Sequence, residues 1–316
     1  MHFRNLGATG LSIAPVVFGG NVFGWTADEP TSFDLLDRFT AAGFNAIDTA
    51  DVYSAWVPGH QGGESETIIG RWLKQSATRR EDVIIITKVG SPMGENRKGL
   101  GETWIMQAVE ASLKRLQTDH IDLYLAHWPD ADVAHAETLS AFARLRDQGK
   151  IRAFGCSNYD AAQLRAAIEA ARQAGLPSYG VLQPEYNLLT RDKYEGALAE
   201  ICVEEDIGVI PYYSLAAGLL TGKYRSKADF AEVARSATLE RFWDERAERV
   251  VAALIRIADE LGEKPATIAL AWLMTRRGIT APIASATRSE QLERLLRAPD
   301  VTLSDEALTA LQEAGA

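Results

Sequence analysis

Three short apolar runs in the first half of the chain each end on an ionisable side chain: Phe44-Asn45-Ala46-Ile47-Asp48, Val83-Ile84-Ile85-Ile86-Thr87-Lys88 and Ile121-Asp122-Leu123-Tyr124-Leu125-Ala126-His127. Runs rich in Ile, Val and Leu read as buried parallel strands, so an Asp, a Lys and a His stand at three strand carboxyl ends. Charged groups are seldom buried without partners, and α/β folds do their chemistry at that end of the sheet. If the strands are neighbours, the three groups converge. Tyr53 lies five residues beyond Asp48, in the loop that follows the same strand, where it can lean over the rim beside Lys88. A free phenol, with a pKa near 10, is about three pH units from a useful general acid at neutrality, roughly 4 kcal/mol. An ammonium at Lys88 narrows that gap, Asp48 keeps the ammonium charged and oriented, and His127 can hydrogen-bond a substrate oxygen. Such a group suits the transfer of a proton to a carbonyl oxygen as negative charge builds on it.

A reduction also needs a hydride, which no side chain donates, so a cofactor is required and a nicotinamide is the usual one. The stretch Gly19-Gly20-Asn21-Val22-Phe23-Gly24 has the wrong spacing for the G-x-G-x-x-G dinucleotide fingerprint, which argues against a doubly wound dinucleotide-binding domain. Later apolar runs end on Ser157 and Asn158, on Gln183 and on Tyr212. Any one of these alone reads equally well as a residue that satisfies a loop or caps a helix. Together, on one rim, they read as a binding surface.

The elements that would position these groups follow a regular rhythm. Strands are expected at 15–19, 44–48, 83–87, 121–126, 151–155, 179–183, 207–211 and 280–284, and helices at 31–42, 64–75, 102–117, near 136–148, 160–174, 196–206 and 289–296. Eight such units with no composition break favour a closed (β/α)8 TIM barrel, an α/β fold forming one domain over residues 1–316. Residues 3–13 show rough alternation about a Gly-rich turn and read as an N-terminal β-hairpin. The segment 215–245, with Gly218, Lys223, Arg225, Lys227 and Trp243, is too long for an ordinary connection and reads as a functional loop. A last amphipathic segment is expected at 304–313.

Composition bounds the partners. The hydrophobic fraction of 47% and charged fraction of 24% are those of a globular protein with a sizeable core. A formal net charge of −10 argues against general affinity for nucleic acid or anionic membrane. The start lacks the apolar stretch of a signal peptide and no run approaches the ~20 apolar residues of a membrane span, so a cytoplasmic protein is expected. Cys156 and Cys202 offer neither a disulfide framework nor a metal-ligand spacing and read as reduced packing residues.

The stretch Gly43-Phe44-Asn45-Ala46-Ile47-Asp48-Thr49-Ala50-Asp51-Val52-Tyr53, followed by Gly63-Glu64-Ser65-Glu66, resembles the first signature of the aldo-keto reductase superfamily. Further matches in family order are Ile86-Thr87-Lys88, Asp122-Leu123-Tyr124-Leu125-Ala126-His127-Trp128, Ile151-Arg152-Ala153-Phe154-Gly155-Cys156-Ser157-Asn158 and Gln183-Pro184-Glu185-Tyr186-Asn187. The resemblance implies a carbonyl reductase in which Tyr53 is the general acid, Lys88 and Asp48 assist it, and His127 orients the carbonyl. It further implies that Ser157, Asn158 and Gln183 hold the nicotinamide amide, that Gly20 and Asn21 border the cofactor, and that an aromatic ring stacks on the nicotinamide. Aligning on Gly218-Leu219-Leu220-Thr221-Gly222 puts Tyr212 in that stacking position, with Tyr213 a one-residue alternative, and lets the loop from Leu215 through Gly218 to Lys223 fold over the pyrophosphate. Ser285 and Arg288 fall near a 2′-phosphate, where Gln291 replaces a common arginine. NADPH is therefore the expected cofactor, with NADH an alternative.

The segment Ser54-Ala55-Trp56-Val57-Pro58-Gly59-His60-Gln61-Gly62 lengthens the loop beyond Tyr53. Trp25, Trp56 and Trp128 are candidates for an apolar substrate wall suited to aromatic or other bulky carbonyls, although Trp25 reads equally as packing. The expected partner is a small carbonyl or alcohol. Two other readings stand beside the reductase. A nicotinamide-binding regulatory protein is possible because some family members are channel-associated subunits, and a metal-dependent barrel hydrolase would use Asp48, His127, Asp130 and Asp132. A phosphate loop at Gly218-Leu219-Leu220-Thr221-Gly222-Lys223-Tyr224 is one residue short and lacks the Ser or Thr that would meet magnesium.

Overall fold

Two hydrophobic cores separated by one wall of parallel strands organise the protein. The structure, a computed structural model, describes residues 2–315 apart from 231, 232, 234 and 235. The wall consists of β3 (Val17–Gly19), β4 (Ala46–Asp48), β5 (Ile84–Val89), β6 (Ile121–Ala126), β7 (Ile151–Ser157), β8 (Val181–Gln183), β9 (Gly208–Val209) and β10 (Ile283–Ala284), hydrogen-bonded in that order with β10 beside β3. Thr280 N donates to Val209 O at 2.8 Å and Ile283 N to Pro211 O at 2.9 Å, which joins the last two strands and closes the barrel. The expected (β/α)8 TIM barrel is thus the observed fold. Several strands are shorter than the apolar runs, mainly at their N-terminal ends: Val17–Gly19 against the expected 15–19, Ala46–Asp48 against 44–48 and Val181–Gln183 against 179–183.

Side chains alternate across a strand, so every second residue of each strand faces the barrel interior. The interior core contains Val17, Ala46, Ile84, Ile86, Leu123, Leu125, Ala153, Val181, Ile210, Ala281 and Ile283. Counting two onward along each strand reaches Asp48, Lys88, His127, Gln183, Tyr212 and Ser285. Gly155 fits the same interior column because a Cβ there would come within 2.3 Å of Val181 O, and Ser157 follows two residues later. Period-two geometry therefore puts the polar groups in one layer on top of an apolar plug.

The opposite end is shut by the expected N-terminal hairpin, β1 (Arg4–Asn5) and β2 (Ser12–Ile13), joined through a short 3-10 turn. Leu6, Leu11 and Ile13 complete the interior core, and Arg4 Nη1 donates to Thr280 O at 3.0 Å. Gly7, at φ +56°, packs so closely that a Cβ would lie 2.4 Å from Gly208 N.

The outer core lies between the wall and the helices α1 (Glu29–Ala41), α2 (Glu64–Gln75), α3 (Glu102–Leu116), α4 (His135–Asp147), α5 (Ala161–Ala174), α6 (Ala197–Glu204), α7 (Ser236–Phe242), α8 (Glu245–Leu261), α9 (Pro265–Met274), α10 (Ser289–Arg297) and α11 (Asp305–Ala314). Most match expectation within a residue or two, and local signals fix several ends: Asp160 and Gln163 form a capping box on α5, and Asp28 caps α1 ahead of Pro30. The sequence reading missed α7, α8 and α9. α9 is apolar nearly all round, being buried along most of its length, so it carries no amphipathic period to detect. The expected 215–245 loop contains 3-10 turns at Ala216–Thr221 and Lys227–Phe230 followed by α7, and its residues 231, 232, 234 and 235 lie outside the described residues.

Candidate active site

The polar layer at the carboxyl rim centres on a buried ammonium. Lys88 Nζ donates to Asp48 Oδ2 at 2.8 Å, to Thr49 O at 2.6 Å and to Tyr53 Oη at 3.2 Å. An ammonium has three donors, and all three are used. Gln183 Nε2 donates to the other Asp48 oxygen at 2.8 Å, so a residue expected only at the cofactor also orients the aspartate. Burial pushes the Asp48 carboxyl up and the Lys88 ammonium down, and their mutual attraction at 2.8 Å opposes both shifts.

Tyr53 departs from the expectation that Lys88 would ease its ionisation. Burial pushes the phenol well above its ordinary value, the Asp48 charge adds to this, and the ammonium at 3.2 Å does not reverse it. Without a ligand the phenol is a loaded acid at neutral pH. Because its oxygen accepts from Lys88, its own proton is directed away from the ammonium.

His127 lies across the pocket, its ring centroid 6.0 Å from that of Tyr53. Burial, reinforced by Lys88, drives its pKa well below the usual histidine value, so the imidazole is neutral. Its Nδ1 pairs with Ser91 Oγ at 2.9 Å. Ser91 was not foreseen; its signal is its place three residues after Lys88, in the loop on top of β5. If Ser91 donates, Nε2 carries the imidazole proton toward the pocket.

The expected cofactor residues form two groups. In the first, Ser157 Oγ donates to Gln183 O at 2.8 Å, Asn158 Nδ2 donates to His127 O at 2.9 Å, and Tyr212 Oη donates to Asn158 Oδ1 at 2.6 Å. Asn158 has φ +64°, a left-handed conformation that asparagine tolerates better than most residues. Tyr212 is fixed by its bond to Asn158, while Tyr213 exposes more of its ring, 5.3 Å from that of Tyr212. In the second group, Ser285 Oγ donates to Asn21 Oδ1 at 2.7 Å, and Gly20 packs against Asp48, where a Cβ would lie 2.9 Å from the carbonyl oxygen. Arg288 stands at the N-cap of α10, while Gln291 turns inward, its Oε1 accepting from Thr287 N at 2.8 Å and Thr287 Oγ1 at 3.1 Å.

These residues fit a nicotinamide dinucleotide. Amide and hydroxyl groups of Ser157, Asn158 and Gln183 gather on the rim, and the Tyr212 ring is bonded to Asn158 beside them. The turn beginning at Leu215 has positive φ at Ala216, Ala217 and Gly218, with Lys223 Nζ 3.8 Å from where a Gly218 Cβ would be. Arg288 supplies a cation at the start of α10, a combination suited to phosphate. The same 3-10 turn replaces the strand-to-helix loop that a phosphate-loop reading would need.

An arc of rings borders the open side: Trp25 to Trp56 at 5.7 Å, Trp56 to Tyr53 at 5.6 Å, and His127 to Trp128 at 6.1 Å. The ligands weighed for a hydrolase do not converge, since Asp130 accepts from Leu100 N and Asp132 N while Asp48 is engaged by Lys88 and Gln183. Among the described residues, no three His, Cys, Asp or Glu side chains stand where they could hold one metal ion, and no helix is long and apolar enough to cross a membrane.

Fold and rim define a TIM-barrel protein with an Asp-Tyr-Lys-His cluster at the carboxyl ends of its strands. The family model described as "Aldo/keto reductase family" matches residues 15–316, and the chain belongs to that family of nicotinamide-dependent oxidoreductases. It is 34% identical over 309 residues to a probable voltage-gated potassium channel subunit beta of Arabidopsis thaliana, covering 95% of this chain and 92% of that one. It is also 34% identical over 328 residues to the uncharacterized oxidoreductase YrpG of Bacillus subtilis, covering 99% and 95%. Identity to Protein tas of Escherichia coli is 32% over 338 residues, covering 99% of this chain and 97% of that one.

Proposed function

We propose that the protein is a cytoplasmic enzyme that reversibly reduces aldehyde or ketone carbonyls of small molecules to alcohols, with NADPH preferred and NADH an alternative. The observation that carries this reading is the threefold engagement of Lys88, whose third donor goes to Tyr53 Oη and leaves the phenol's own proton, kept on by burial, free for a bound oxygen. A nicotinamide bound at the rim beside Tyr53 would supply the hydride. Tyr53 gives its proton to the carbonyl oxygen, and the ammonium beside it stabilises the phenolate that results. Neutral His127 donates a hydrogen bond to the same oxygen and sets its direction. Asp48 and Gln183 hold Lys88 in place.

Ser157, Asn158 and Gln183 are assigned to the carboxamide, Tyr212 to stacking, Leu215, Gly218 and Lys223 to the pyrophosphate, and Gly20, Asn21, Ser285 and Arg288 to the remaining edge. With Gln291 occupied by Thr287, preference for the 2′-phosphate rests on Arg288. Trp25, Trp56 and Trp128 form the substrate wall.

A panel of aldehydes and ketones assayed with NADPH and with NADH tests the proposal. Consumption of reduced cofactor is expected, and Tyr53→Phe should lower turnover about 10²-fold to 10⁴-fold while leaving cofactor affinity nearly unchanged. Undiminished turnover in Tyr53→Phe would sink the mechanism. A second reading, a nicotinamide-binding regulatory subunit, is favoured by the similarity to a channel subunit; tight cofactor binding with negligible turnover across the panel would support it.

A further inference from the structure

We propose that Glu64 is a positioning residue that sets the substrate class: by pinning the 54–62 loop, it holds Trp56 as one wall of a slot for carbonyls bearing a flat aromatic ring. This inference rests on the reductase reading. Glu64 opens α2 and accepts three backbone N–H groups from the loop, those of Ser54 at 3.2 Å and Gly62 at 3.0 Å on Oε2 and that of Gln61 at 2.8 Å on Oε1. His60 Nδ1 stands 4.0 Å from Oε2. Burial pushes the carboxyl up, but the N–H groups of Gln61 and Ser54, together with His60, outweigh it and hold the group below the usual carboxylate range. It is therefore ionised at neutral pH, and hydrogen bonds to a charged acceptor are roughly twice as strong as neutral ones.

Between these anchors the loop runs through successive tight turns, with Ala55 N bonded to Val52 O, Val57 N to Ser54 O and His60 N to Val57 O. They carry Trp56 out to the rim. Trp56 is 47% exposed and Trp128 48%, two large apolar surfaces on either side of Tyr53 and His127. Rings interact best edge-on or offset at centroid separations of about 4.5–7 Å, the spacing already present along the arc. A ring attached to a carbonyl at Tyr53 can join that series, whereas a short alkyl chain cannot.

Tyr53 has anchors of its own. Its carbonyl accepts from Gly63 N at 2.9 Å and Ser65 N at 3.3 Å, and the next side chain is tied by Ser54 Oγ to Phe23 O at 3.0 Å. Loss of Glu64 should therefore free Trp56 more than Tyr53, changing selectivity more than chemistry.

The test measures kcat and KM for benzaldehyde and for propanal with NADPH in the wild type, Glu64→Gln and Trp56→Ala. In both variants KM for benzaldehyde should rise about fivefold to tenfold, and the benzaldehyde-to-propanal ratio of kcat/KM should fall by the same factor. Hydrogen exchange at Ser54, Gln61 and Gly62 should quicken in Glu64→Gln, with that at Gly63 and Ser65 unchanged. A ratio that falls only in Trp56→Ala overturns the role of Glu64, and a ratio unchanged in both variants overturns the slot. A wild type that turns over neither carbonyl overturns the reductase reading and this inference with it.

Discussion

Asp48 and Asp122 lie at opposite ends of the same barrel, both buried and both paired with cations, yet their surroundings differ in one respect. Asp122, second residue of β6, accepts from Arg80 Nη2 at 2.7 Å, Arg152 Nη1 at 2.6 Å and Ile85 N at 2.9 Å. Its guanidinium partners reach solvent, Arg152 being half exposed, so the charges stay partly hydrated while β5, β6 and β7 are clasped together. Asp48 is paired with a lysine that has no exposure at all. There the charges are held by hydrogen bonds alone, and any change at Tyr53 is felt by Lys88 directly. The base of the barrel uses a buried carboxylate to fasten strands, and the rim uses one to hold a proton-transfer group ready. A third carboxyl sharpens the contrast: Asp51, just beyond β4, is buried with neither oxygen bonded to a partner among the described residues.

The largest expected effects come from breaking the two ion clusters. Lys88→Met leaves Asp48 without its cation, so stability should fall about 3–5 kcal/mol in urea denaturation and carbonyl reduction should be lost. Asp122→Ala should cost about 1–3 kcal/mol, because Ile85 N loses its acceptor, with kcat of the folded protein unchanged. A loss of kcat in Asp122→Ala that matches the Lys88 variant would erase the distinction between the two ends.

Protonation separates the regions next. Folded His127 stays neutral well below the pKa near 6.5 that it regains on unfolding, so the unfolded chain binds the extra proton and stability falls as pH drops below about 6.5. The slope approaches about 1.4 kcal/mol per pH unit for this one group. Urea midpoints at pH 5, 6 and 7 should show a flatter decline in His127→Gln. An identical slope in that variant would mean that other groups set the acid limb.

Asp51 should give the smallest change and the opposite sign. Burial and the neighbouring Glu66 charge push its pKa well above the unfolded value near 3.9, so its contribution to stability is present at low pH and is lost as pH rises. Asp51→Asn is therefore expected to stabilise the protein by about 1 kcal/mol at pH 7 and to be neutral near pH 4. Destabilisation at pH 7 would show that Asp51, like Asp122, fastens structure.

Much of the barrel was legible because short apolar runs rich in Ile and Val, and helical periodicity, are local signals. The runs ending on Asp48, Lys88 and His127 became β4, β5 and β6, and the units from α2 to α5 fell within a residue or two of expectation. α9 escaped because a buried helix has no polar face. Ser91 and Glu64 escaped because a serine or glutamate at a loop or helix start looks the same whether it meets solvent, a histidine or three backbone amides.

The sequence by itself determined which residue types end the strands and, because strand carboxyl ends of a barrel face one way, that they share one rim. Tertiary structure decided their protonation and their partners. Those depend on burial and on groups far apart in the chain, such as Gln183 against Asp48 and Tyr212 against Asn158. The phenol of Tyr53 shows the division: the sequence puts it beside an ammonium, but the depth of the pocket keeps its proton on.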